Sequence, residues 1–570
     1  MLPKRFISSL QLLAVSVFFT SCATTSDSRS LTENTTESTA RSEPPVEQLS
    51  GENLFQLLLA EIATNRQELG AAAALYSQLG KDYNDVQALQ RSVVLNQAIE
   101  NYEEAYISAS KWNTLRPNDE TAVSALSLSA LATGRLDESS AALSKWLSIN
   151  PEAETTLLLA AFSEIDADQR MSFNNNLEAL QQHYPENASL FYLSARLIYS
   201  DSEDALALTD TALDIEPTLE ASLYRFQLLQ DLNQIDEAKQ QIEMIRSDYP
   251  QNRQVAILQA RFIYQYYPAD ISALAKLHTQ FPTDPIIART YARAAFDQQQ
   301  YDTANALYSR LLSHSEFNDE AHYFLGRIDV ANAQPESAAS HFSQIEQAPY
   351  LISGIAEWVS LGNIEDQADI LAAIERAKQI DAPREPTYWR FQSNYFQLTE
   401  QPEFAWQALE DGVQRFPDNI PLLYDQAMMA AGTERAMVME QNLLHILDLD
   451  PSNVNALNAL GYTWADLSKN LDVAHDYINR ALSEDNENPA FQDSKGWVLY
   501  RLGELEEALV WLQKAYAQFQ NDEIAAHVAE VLWKLNRTQE ARGLLTDIEQ
   551  DYPGSHYIDY LKRLFGEATE

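Results

Sequence analysis

The chain has 570 residues, 45% hydrophobic and 10% aromatic, enough apolar surface to build a packed core and to exclude global disorder. Acids outnumber bases 83 to 39, for a formal charge of −44. A surface this acidic excludes nucleic acid as a partner and offers anionic lipid headgroups no attraction.

Residues 1–22 read MLPKRFISSLQLLAVSVFFTSC. Lys4 and Arg5 precede an apolar run from Ile7 to Phe19, and Thr20 and Ser21 lead into Cys22, the only cysteine. The run is short of the roughly 20 apolar residues that span a bilayer, so it reads as a secretory signal over 1–21. The lone cysteine after small residues resembles a bacterial lipobox, with Phe19 in place of the usual leucine. The resemblance implies lipidation of Cys22, and Ala23 in place of aspartate implies sorting to the outer membrane. The stretch to Ser50 is rich in Ser, Thr and Glu without apolar periodicity. Residues 22–50 are therefore expected to be a lipidated, disordered tether spanning roughly 30 Å.

Beyond it a proline ladder appears. Pro117, Pro151 and Pro185 are 34 residues apart, as are Pro417 and Pro451, while Pro217, Pro250 and Pro282 continue at spacings of 32–33. Proline just past a helix end stops that helix. Twelve residues before these prolines lies an alanine slot, held by Ala105, Ala205, Ala238 and Ala405, which Ala304, Ala338, Ala474, Ala508 and Ala541 extend. Twelve earlier still is a small-residue slot: Ala292, Gly326, Ser393, Ala427, Gly461, Gly496 and Ala529. Small residues in facing slots let two helices approach closely.

GWVLYRLGELEEALVWLQKAY, residues 496–516, resembles a tetratricopeptide repeat, with Gly496, Leu499, Gly503, Ala508, Leu512 and Ala515 at consensus places. The resemblance implies an all-α, right-handed superhelical solenoid of about 14–15 helical hairpins, each too small to bury its apolar face alone. An N-terminal array over 51–349 and a C-terminal array over 386–570, ending in a capping helix at HYIDYLKRLFGEATE, are predicted. Residues 350–385 break the rhythm and are either a degenerate repeat or a joint. The segment Arg170–Asn176 is also irregular, with Phe173 where alanine is expected.

No constellation for catalysis is present: the nine histidines are scattered, and no HExxH, GxSxG or P-loop occurs. No catalytic residue, metal site or cofactor is expected. Trp112 and Trp146 share one repeat position and are expected in the core. In tetratricopeptide proteins the first helix of each hairpin lines the concave face. That resemblance places Asn458 and Tyr462, then Asp493, Trp497 and Arg501, then Glu530 and Trp533 on a protein-binding surface. Aromatic side chains among polar ones suit a binding hot spot; filling the superhelix interior is the alternative. The acidic residues are either a solvated coat or a groove for basic ligands.

The lipobox and tether, LFQLLLAEIATNRQELGAAAALY at 54–76, ALNALGYTWADL and DSKGWVLYRLGELEEAL together resemble the outer-membrane lipoprotein that serves as adaptor for a periplasmic carboxyl-terminal processing protease. This resemblance implies a non-enzymatic scaffold facing the periplasm, held in the outer membrane by lipid. Its partners would be the protease and its protein substrates, among them cell-wall hydrolases. An activator of a peptidoglycan synthase, or a subunit of an outer-membrane assembly or export complex, are the alternatives.

Overall fold

The computed structural model describes residues 51–198 and 202–566; Cys22 and the expected signal and tether lie outside the described residues. Among those described there are 30 α-helices, three short 3-10 helices and no strand. Each of the eight ladder prolines stands two residues past a helix end, as Pro117 does after Tyr102–Leu115 and Pro451 after Ala436–Leu449. The same turn starts the next helix. Two residues beyond Pro117, Pro185, Pro250, Pro282, Pro417 and Pro451, the N-caps Asp119, Asn187, Asn252, Asp284, Asn419 and Asn453 accept backbone N–H bonds of the first turn. A stop and a cap thus share a three-residue motif, and the cap contributes about 1 kcal/mol.

All nine alanines of the alanine slot are completely buried (0% exposed). Across the crossing, Gly461, Gly496 and Gly326 mark close approaches. A Cβ on Gly496 would stand 2.5 Å from Leu512 Cγ, and one on Gly461 2.7 Å from Ile478 Cγ1. Up to Tyr266, and again from Ile271 onward, consecutive α-helices pack on one another, so burial is built from near neighbours in sequence, as repeat arrays require.

The chain divides into two compact units at Tyr267/Pro268. In the first, Leu143, Trp146, Phe173, Leu177, Leu190 and Leu193 share one core cluster. Trp112 and Trp146 are both buried, their indole N–H groups donating to Asp119 and Glu120. The irregular segment has a physical cause: where a first helix is due, the chain forms only the 3-10 turn Thr155–Ala161. The long helix Ala167–His183 follows it. The shorter partner leaves room for Phe173, which is fully buried where alanine sits elsewhere.

In the second unit, residues 350–380 form a helical pair, Tyr350–Ser360 and Gln367–Ile380. It buries Ile355, Trp358, Ile370 and Ile374 in a common cluster. The unit ends in the short helix Tyr557–Leu564, which seals the last hairpin with Leu561 and Phe565.

Candidate protein-binding surfaces

Three stacked first helices carry the residues singled out by sequence: Val454–Asp466, Pro489–Leu502 and Asp522–Lys534. Asn453, Asn488 and Asn521 cap them, and Pro489 stands at the start of the second. Gly503 ends that helix at φ +91°, a conformation glycine adopts without strain. Residues one repeat apart therefore stack in register.

Four of the seven residues converge on one more, His527. Its Nδ1 lies 2.9 Å from Asp493 Oδ1, thirty-four positions earlier in the chain, and both side chains are buried. The Trp497 ring stacks on His527 at 4.0 Å between centroids. The Tyr462 hydroxyl donates to Glu523 Oε1 at 2.7 Å and lies 3.5 Å from His527 Nε2. Glu530, also buried, accepts from the hydroxyls of Tyr500 at 2.6 Å and Tyr560 at 2.7 Å. Burial works against a charge on His527, but Asp493, with Glu523 and Glu530 beyond it, holds its pKa above the ordinary imidazole value. Burial and then Glu523 push the Tyr462 phenol well up, so it remains a donor.

The other three residues lie outside this knot. Arg501 reaches Ser468 Oγ at 3.0 Å from Nε, with its guanidinium 5.7 Å from the Trp497 ring centre. Trp533 is half-buried, stacked on Phe565 of the terminal segment at 4.3 Å. Asn458 lies one turn before Tyr462 on the same helix face. Its amide oxygen is buried without a hydrogen-bond partner among the described residues. Sequence reasoning missed His527, Glu523, Tyr500 and Tyr560. The available signal was the repeat offset, which sets His527 opposite Asp493.

A second surface lies at the other end of the described chain. The first helix, Gly51–Asn65, turns Ala60 and Ala63 inward. It leaves Leu54, Phe55 and Leu58 56–59% exposed, with Leu59 and Ile62 also open. Neighbouring apolar side chains exposed this far make the helix a candidate interaction surface.

A family model described as tetratricopeptide repeat matches residues 291–352 and 468–523. The second match spans the Trp497 hairpin. The chain is 26% identical over 541 residues to the TPR repeat-containing protein PA4667 of Pseudomonas aeruginosa, covering 93% of this chain and 91% of that one. Among solved structures, it is similar to the APC/C hetero-tetramer Cut9–Hcn1, at 13% identity and TM-score 0.34, over 91% of this chain and 97% of that one. It is also similar to the type IV pilus biogenesis factor PilW, at 16% identity and TM-score 0.31, over 38% of this chain and 98% of that one. The matched repeats and the paired helices give this chain the all-α fold of stacked tetratricopeptide-type hairpins.

Proposed function

We propose that this protein is a non-enzymatic outer-membrane lipoprotein that brings a periplasmic processing protease together with its cell-wall hydrolase substrates. The observation that carries the reading is the open apolar face of the first helix, Leu54, Phe55 and Leu58. With the signal 1–21 removed, the preceding segment 23–50 offers only Leu31, Val46 and Leu49 as aliphatic residues of that size, against five on the face, Leu54, Phe55, Leu58, Leu59 and Ile62. A separate protein is the fitting occupant. The segment LFQLLLAEIATNRQELGAAAALY, which includes this face, is also among the stretches that resemble the protease adaptor.

In this reading Cys22 carries the lipid, residues 23–50 are the tether, and the first helix and the C-terminal hairpins hold different proteins. Asn458, Tyr462 and Arg501 border the surface for the second protein, and the His527 knot holds its helices in place. Holding two proteins on one anchored chain raises their mutual concentration to something on the order of millimolar, without any chemistry from the scaffold. Repeat proteins suit such work because stacked hairpins give extended surfaces.

Cross-linking in intact cells followed by purification of the membrane-bound protein tests the reading. A PDZ-containing serine protease and a peptidoglycan hydrolase are expected in the product. Recovery of a penicillin-binding protein instead would turn the assignment to a synthase activator, and recovery of pore or export subunits would turn it to an assembly complex.

A further inference from the structure

His322 and His341, nineteen residues apart and unremarkable in sequence, meet in the hairpin formed by Asn318–Ala331 and Pro335–Phe342. Their Nδ1 atoms are 3.0 Å apart. Two ring nitrogens each about 2.0–2.1 Å from one transition-metal ion stand about 2.9–3.4 Å apart, depending on the angle at the metal. The spacing therefore fits two cis ligands of a single ion as well as it fits a hydrogen bond. Behind His341, its Nε2 lies 3.9 Å from Asp329 Oδ2. Asp329 is itself buried and accepts a hydrogen bond from the Ser337 hydroxyl. At 3.9 Å the contact between His341 and Asp329 is electrostatic and not a hydrogen bond, so the carboxylate adds negative potential beside the pair without fixing a tautomer.

Both rings are half-buried, so water can reach the pair. Burial lowers both pKa values, with the neighbouring imidazole adding to the effect at His322. Among the described residues no three His, Cys, Asp or Glu side chains converge as a closed metal cage. The fit is to an open site, with two protein nitrogens and the remaining positions taken by water.

We propose that His322 and His341 form a bis-imidazole site for a borderline transition-metal ion, taking Cu²⁺ in preference to Zn²⁺. Imidazole suits both ions, and the order of affinities at a given nitrogen site places Cu²⁺ above Zn²⁺. The site is independent of the binding role proposed above.

Titration of the full chain with Cu²⁺ and with Zn²⁺ by calorimetry, in a non-chelating buffer, tests the proposal. One ion per chain is expected, held more tightly for Cu²⁺. Either His322→Gln or His341→Gln is expected to weaken binding by about tenfold or more, the scale on which metal sites lose affinity when a supporting group is removed. Glutamine retains a hydrogen-bonding partner for the remaining histidine, and circular dichroism of the metal-free variants checks the fold. His445→Gln, on an exposed histidine paired with Asp418, is expected to leave binding unchanged. Electron paramagnetic resonance of the Cu²⁺ form is expected to show two coupled nitrogens in the unaltered chain. Affinity insensitive to both substitutions, equal loss with His445→Gln, or a spectrum without paired nitrogen coupling would overturn the assignment.

Discussion

At the scale of single residues, the His527 knot concentrates the electrostatics of the second unit. Asp493, Glu523 and Glu530 face the imidazole, with the Trp497 ring and the Tyr462 hydroxyl packed on it. A histidine that titrates higher in the folded chain than in the unfolded one binds its proton more tightly when folded. Its contribution is complete below the unfolded imidazole value of about 6.5 and is lost as pH rises through the higher folded value. The second unit is therefore expected to melt at progressively lower temperature from about pH 6 into the alkaline range. His527→Gln should flatten that slope; an unchanged slope in thermal melts would show that the imidazole is not its source. Asp493→Asn removes one partner of a buried pair and is expected to cost about 3–5 kcal/mol at neutral pH, measurable by urea denaturation.

At the scale of helices and hairpins, most of the fold was legible because the signals are local. Proline two residues past a helix, Asp or Asn two residues later, and small residues at the crossing are each readable from spacing, and the structure uses all three. Phe173 was legible only as an exception. Its explanation, the 3-10 turn Thr155–Ala161 in place of a helix, depends on what the chain does one element earlier. His527 was invisible for a related reason: a scan for ligand or catalytic spacings treats it as isolated, whereas its partners stand one or two repeats away. The division at Tyr267/Pro268 falls within the proline ladder, between Pro250 and Pro282. The crossings can be tested directly. Gly496→Leu places a side chain where even a Cβ would be 3.0 Å from the Ala508 carbonyl oxygen, and is expected to destabilise the unit by at least about 1–3 kcal/mol. Asn453→Ala, which removes a cap hydrogen bond of 3.0 Å to Ala456 N, should cost only about 1 kcal/mol. Thermal melts of the two variants should rank them in that order, and a larger loss for the cap would show that the crossing is not the tighter constraint.

At the scale of the whole molecule, the proposed role needs an anchor and two places to hold other proteins. Cys22→Ser is expected to move the protein from the membrane fraction to the soluble periplasmic fraction on cell fractionation, because the chain's net charge of −44 gives it no attraction of its own for anionic lipid. Persistence in the membrane would assign the attachment to something other than lipid on that cysteine. The central claim is that the apolar face of Gly51–Asn65 receives the protease. The most direct measurement compares the unaltered protein with a Leu54→Glu/Leu58→Glu variant as bait for the cross-linked protease, with helix content checked by circular dichroism. Both substituted side chains are exposed, so the helix should be retained while capture falls by tenfold or more, the equivalent of about 1.4 kcal/mol. Equal capture by a folded variant would contradict the account.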